Sequence, residues 1–192
     1  YLAINYQKVK KMKKLLLLAF LFFPFIVSAQ KLKKPIIDKI SGDTIWTTSL
    51  DKLYLHGNYL TAQGEAIQCE IDRVGKTYVL VLIPQTMNER SVFAVNEDQK
   101  TYLKFSDNSM LTFSNGAFKI SDAQVSEAGG FINDKGSLTM TFALTPDDIA
   151  KILSSSLAFV RIETTEGNFD CDIKPKFADP IKKQLQLVMN AK

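Results

Sequence analysis

From Lys31 onward the chain is written in short runs in which apolar and polar positions alternate, separated by Gly, Asn, Asp and Ser. A period of two sends successive side chains to opposite faces of a strand, so the pattern predicts a mostly antiparallel β protein joined by hairpins. In Ala66 to Asp72, Ile67, Cys69 and Ile71 share one face and Gln68, Glu70 and Asp72 the other, a strand with one buried and one wetted side. Tyr78 to Ile83 is apolar at every position, which predicts a central strand covered on both sides and ended by Pro84. A two-residue turn at Val74-Gly75 would place Ile71 opposite Tyr78, Cys69 opposite Leu80 and Ile67 opposite Leu82.

Further strands are expected at Ile36 to Ile40, Ile45 to Thr48, Val92 to Val95, Thr101 to Phe105, Met110 to Phe113, Ala117 to Ile120 and Ser137 to Leu144, with Lys52 to Leu55 extending the first sheet. Ser41-Gly42-Asp43 is a turn by composition, and the turns at Asn96-Glu97-Asp98, Ser106-Asp107-Asn108 and Asn115-Gly116 suggest a meander of the strands from Val92 to Ile120. His56-Gly57-Asn58 and Gln63-Gly64 read as loop punctuation around Tyr59, and Ser126 to Gly136 as the longest loop. Leu157 to Thr164 and Asn168 to Lys174 form a hairpin about Glu166-Gly167, with Ile162 opposite Cys171, Val160 opposite Ile173 and Arg161 opposite Asp172.

The period changes twice. Thr145-Pro146-Asp147-Asp148 is a helix start, with a capping threonine, proline at the first helical position and a capping-box acid, followed by Ile149, Ile152 and Leu153 on one face. Asp179-Pro180 opens a second helix, with Ile181, Leu185 and Val188 inward and Lys182, Lys183 and Gln186 outward. The resulting expectation is one α+β domain: an antiparallel, meander-rich sheet of roughly eight to ten strands, curled or folded into two layers, with two short helices near the C-terminus. A β-sandwich is the alternative. Leu80, Val81, Leu82, Phe142, Val160 and Ile162 are the expected core.

Charge alters this picture only through the leader. The chain has 24 Lys+Arg and 20 Asp+Glu, but its first 29 residues hold five lysines and no acid, leaving 19 basic against 20 acidic residues beyond them. That balance excludes a nucleic-acid reading based on global charge. Lys13 and Lys14, the apolar run Leu15 to Val27 and Val27-Ser28-Ala29 have the order of a secretory signal, with residues 12–29 removed and Gln30 as the new start. The run is too short for a membrane span, which needs about 20 apolar residues. Residues 1–11 precede Met12 and read as an over-extended translation frame, which leaves residues 30–192 as the exported domain, with no membrane span after signal removal.

Candidate chemistry is sparse. Cys69 and His56 are the one conceivable thiol–imidazole pair, but Cys69 sits on an apolar face, where a thiol is an inert small hydrophobe. Asn168, Asp170 and Asp172 project from one side of a strand near Glu163, an oxygen-rich set that a hard cation could use, although alternating acids on a strand are most often just its solvated face and no Gly-punctuated calcium loop accompanies these. Gly129-Gly130 lacks the lysine and the strand–loop–helix setting of a phosphate cradle. Trp46, Tyr54, Tyr59 and Tyr102 could form a stacking platform, or fill the core and its rim. Cys69 and Cys171 both point inward, as a disulfide or, by preference, as two buried free thiols.

Asp38-x-x-Ser41-Gly42-Asp43-Thr44 with Thr47-Thr48, and Leu144-Thr145-x-x-Asp148-Ile149 leading to Val160-Arg161-Ile162-x-Thr164-x-x-Gly167, resemble a family of small uncharacterised exported proteins and lipoproteins of Gram-negative bacteria. The likeness covers most of residues 30–192 and implies export, without an activity to transfer. Gln30 stands where a lipoprotein would carry its cysteine. The functional expectation is a non-enzymatic binding or interaction module, periplasmic or secreted, without a cofactor, that engages an envelope protein or a small ligand. Two alternatives are a hydrolase whose carboxylates, such as Glu163 and Asp170, converge only in the fold, and an inhibitor or interaction module that uses a sheet edge.

Overall fold

The computed structural model describes residues 30–58, 63–87, 92–128 and 131–191. The expected signal, residues 12–29, and Tyr59 and Gly129-Gly130 therefore lie outside the described residues. The first half of the chain supplies β1 (Ile36–Ile37), β2 (Thr44–Thr47), β3 (Asp51–Asn58), β4 (Gln63–Val74), β5 (Thr77–Met87), β6 (Ala94–Val95) and β7 (Lys100–Phe105). The second supplies β8 (Met110–Ser114), β9 (Lys119–Ile120), β10 (Asp122–Ala128), β11 (Phe131–Ser137), β12 (Met140–Leu144), α1 (Pro146–Ser154), β13 (Leu157–Thr164), β14 (Gly167–Asp172) and α2 (Pro180–Asn190). This is the expected α+β class: antiparallel strands, one sheet curled into a half-barrel, and two short C-terminal helices.

The long hairpin β4–β5 is the spine of the eight-stranded sheet. Along its β4 edge, β2 and then β3 pair in turn, with β1 outside β2; along its β5 edge, β12 and β11 pair in turn, with β10 outside β11. Pro84 does not end β5 as expected. It pairs with Ile67 across β4 and sits where the other edge changes partner, between Leu82 opposite Met140 and Gln85 opposite Ser137, and its carbonyl accepts Leu138 N–H at 3.2 Å. A proline is tolerated in a central strand where the ladder is interrupted.

Both hairpin registers differ from expectation by two residues, in opposite senses. Gly75, at φ +58°, opens the turn instead of closing it, so Val74 faces Thr77, Ile71 faces Leu80, Cys69 faces Leu82 and Ile67 faces Pro84. In β13–β14 the two-residue loop is Thr165-Glu166, with Gly167 at φ +113° following it, so Val160 faces Cys171, Ile162 faces Phe169 and Arg161 faces Asp170, not Asp172. Thr164 fixes that loop: its hydroxyl donates to Gly167 O and accepts Glu166 N–H. A slip of two preserves sidedness, and so the apolar faces stay inward.

The expected meander is broken. β7 pairs with β8 on one side but with β13 on the other, giving the four-stranded order β14-β13-β7-β8, while β6 pairs with β9. His56-Gly57-Asn58 and Gln63-Gly64 belong to β3 and β4, and of the expected loop 126–136 the described residues 126–128 and 131–136 belong to the paired strands β10 and β11. In the sequence the stretches 56–58, 63–64 and 126–136 carry no apolar–polar alternation to mark them as strand. β1 stops at Ile37 because Asp38 turns the chain: its Oδ1 accepts Ile40 and Ser41 N–H at 2.7 and 2.8 Å.

The two sheets and both helices share one core. Leu80, Leu82, Val160 and Ile162 are fully buried, Val81 and Phe142 nearly so, and Phe113 of β8 stacks on Phe142 of β12 with ring centroids 4.8 Å apart. Tyr78, Val79 and Ile83 are half-buried, so β5 is fully covered on both sides only at its middle. At α1 the capping box is complete: Asp148 N–H donates to Thr145 Oγ1 at 3.2 Å and Thr145 N–H to Asp148 Oδ2 at 2.9 Å. Helix α2 lays Ile181, Leu185 and Val188 into the core, and the Arg73 guanidinium donates to its terminal carbonyls Val188 O and Ala191 O at 2.6 and 3.0 Å. Those carbonyls have no partner within the helix, and a cation is favoured at that end. Among the described residues no helix is long and apolar enough to cross a membrane.

Candidate functional site

The carboxylates singled out in the sequence lie on the outer face of the four-stranded sheet. Asn168, Asp170 and Asp172 are exposed there. Arg161 grips Asp170 with Nε and Nη2 at 2.6 and 2.5 Å, and the hydrogen bonds from Arg161 hold the Asp170 carboxyl below the usual carboxylate range. Glu163 is engaged by other groups: Oε2 accepts Lys100 N–H at 2.8 Å and Oε1 accepts the Tyr102 hydroxyl at 3.1 Å. The Asp170 and Glu163 oxygens are thus spent on a cation, an amide and a phenol. Among the described residues no three or more His, Cys, Asp or Glu gather in a metal-holding arrangement.

The thiol–imidazole pair is not assembled. His56 is exposed and stacks on Tyr54, with centroids 6.5 Å apart, whereas Cys69 is fully buried under α2. Cys69 and Cys171 are both free and buried, on the two different sheets, so the disulfide is not formed. Burial drives both thiols upward, Cys171 to about 12, which removes thiolate chemistry at neutral pH. The aromatic platform is dispersed: Trp46 lies under Arg73 with the guanidinium carbon 5.7 Å from the ring centroid, Tyr54 packs on the core, and Tyr102 belongs to the other sheet.

The sequence pattern does not mark a polar residue on a buried helix face, and α2 carries one. Gln184 of α2 is wholly buried. Its Nε2 donates to Ser49 O, Asp51 Oδ2 and Cys69 O at 2.9, 3.0 and 3.1 Å, and its Oε1 accepts the Cys69 thiol at 3.4 Å. It ties α2 to the crossing where β2 leaves β4 and β3 begins. Thr48, also fully buried, completes that crossing by taking Ile71 N–H on its hydroxyl at 2.9 Å and giving its own N–H to Ile71 O at 3.1 Å. A buried amide must have partners on both ends, and this one does.

Above the crossing lies an open groove of about 620 Å³, between the start of β3, the 3-10 turn Pro175–Phe177 and the start of α2. Leu50, Phe177 and Pro180 form its apolar wall, and Lys52, Lys176, Lys183, Asp51 and Asp179 supply its charges. Both aspartates are bonded inward, Asp51 to Gln184 and Asp179 to the Ser156 hydroxyl at 2.7 Å. Asp179 therefore does not cap α2 with its side chain. Lys176 rests over the Phe177 ring at 4.7 Å, while Lys52 and Lys183 are exposed, their ammonium groups with no hydrogen bond or ion pair among the described residues. The volume is in the range of ligand clefts, roughly 300–1,000 Å³. Comparisons of the chain with protein-family models, with curated proteins and with solved structures each give no match.

Proposed function

We propose that the protein is an exported, non-catalytic binding module of the cell envelope that holds an acidic, partly apolar ligand in the groove between β3 and α2. The observation that carries this reading is the disposition of charge in the groove: its two carboxylates are bonded inward to Gln184 and Ser156, while Lys52 and Lys183 are left facing open space. An incoming carboxylate or phosphate would meet those ammonium groups, and its apolar portion would meet Leu50, Phe177 and Pro180. The outward, solvated setting of Asp170 and the engaged oxygens of Glu163 favour this class over a hydrolase built on those acids. Export rests on the order of charged, apolar and small residues in 12–29 and on the resemblance to exported proteins.

A thermal-shift screen of acidic peptides and sugar acids against their neutral isosteres tests the reading. An acidic compound should raise the melting temperature, and Lys52→Glu with Lys183→Glu should abolish the rise while leaving the unliganded transition in place. Stabilisation by neutral isosteres to the same extent, or by acids in the double variant, would contradict it.

A further inference from the structure

At the far end of the half-barrel sheet lies the edge hairpin β1–β2, whose outer strand β1 is exposed while Trp46 of β2 packs against the core. All four residues of β2 are only half-buried. Ile36 and Ile37 in β1 are 63% and 67% exposed, and Ile40 at the turn is fully exposed. Consecutive residues of a strand face opposite sides, so this edge is apolar on both faces. The surrounding charge is basic. Lys34 and Lys39 are exposed and without partners among the described residues, and Lys33 reaches back to Glu70 at 2.7 Å. Lys76 joins them from the β4–β5 turn, which lies against this hairpin: a Cβ at Gly75 would sit 3.5 Å from Asp43 Oδ1. Of the two carboxylates in the 38–43 turn, Asp38 is spent on the Ile40 and Ser41 amides and Asp43 is exposed beside Gly75, so Lys34, Lys39 and Lys76 outnumber the one acid that faces them.

We infer that this hairpin docks the protein on an anionic lipid surface, with Ile36, Ile37 and Ile40 entering the headgroup boundary and Lys34, Lys39 and Lys76 meeting lipid phosphates. Two observations favour lipid over a protein strand added to the edge. β1 is two residues long and follows Pro35, which has no N–H to give, so it offers too short a ladder for strand addition. Apolar side chains on both faces of a thin blade suit a medium that surrounds them, whereas a packed partner covers one face. Lysines near an anionic leaflet each strengthen binding about fivefold, and screening by salt weakens that attraction.

The test uses the full chain expressed with its own leader and recovered as the cell processes it, sedimented with vesicles of phosphatidylcholine alone or containing phosphatidylglycerol. Binding to the phosphatidylglycerol vesicles alone is expected. It should fall by about tenfold or more both in Ile36→Ser/Ile37→Ser/Ile40→Ser and in Lys34→Glu/Lys39→Glu/Lys76→Glu, with the melting transitions retained. Ile40→Ser, at a fully exposed turn position, should weaken binding by itself and guards against misfolding of the triple variants. No binding to anionic vesicles would overturn the inference. So would equal binding by the isoleucine variants, or a lipid-free dimer that the isoleucine substitutions dissociate.

Discussion

Replacing Gln184 by Leu tests whether the buried amide holds α2 to the sheet. The substitution preserves much of the volume but removes the donor to Ser49 O and Cys69 O and the acceptor of the Cys69 thiol. A buried carbonyl left without its partner costs about 1–3 kcal/mol. The bond to Cys69 O is buried and that to Ser49 O only partly buried, so the combined loss should be roughly 2–4 kcal/mol, since the second carbonyl can recover water. For a domain of this size each kcal/mol moves the midpoint by about 2–4 °C, so the melting temperature should fall by roughly 5–15 °C in calorimetry or circular dichroism. Gln184→Glu is the complementary probe. It sets a carboxylate against Asp51 and two carbonyls, raising the pKa of the new acid, so the variant should be least stable at neutral pH and regain stability as the acid protonates on lowering the pH. A midpoint change below about 1 °C for Gln184→Leu would refute the reasoning, because the bonds would then contribute nothing net.

Other outcomes follow from the same geometry. Thr145→Ala removes one half of the capping box and should cost about 1 kcal/mol in chemical denaturation. Thiol labelling of unreduced, denatured protein should modify both cysteines, whereas the folded protein should react only as fast as it unfolds, because burial holds both thiols far above neutrality. The Asp170 carboxyl is depressed by Arg161, so its contribution to stability is present above the ordinary carboxylate range and is lost as pH falls through the lowered folded value. The difference between wild type and Asp170→Asn should accordingly vanish in acid, and shrink in high salt because the pair is exposed. On the proposed reading of residues 12–29 as a signal, intact mass of the processed protein should give Gln30 as its first residue.

Sidedness was legible in the sequence, while partnership was not. Alternation alone identifies Ile67, Cys69 and Ile71 as one inward face, and they are fully buried. Their partners on β5 depend on whether Gly75 opens or closes the turn, which composition leaves open by a residue either way. Pro84 reads as a stop because the sequence does not reveal that β12 yields to β11 beside it. The pairing of β7 with β13 is a contact across more than 50 residues, beyond the reach of turn chemistry. The groove was invisible for a related reason. Asp51, Lys52, Lys176 and Lys183 are ordinary surface residues until the fold brings the start of β3 beside the start of α2, and Gln184 breaks the polar-outside rule that would have marked it.

The claim that the groove is the binding site is tested most directly by photo-crosslinking in the producing cell. A photoreactive residue would replace Lys183 in the groove or, in a separate strain, Thr112 on the outer face of the four-stranded sheet. The account predicts a discrete adduct from position 183, lost when excess acidic ligand from the thermal-shift screen is supplied, and none from position 112. An adduct from position 112 alone, or one at position 183 indifferent to that ligand, would contradict it.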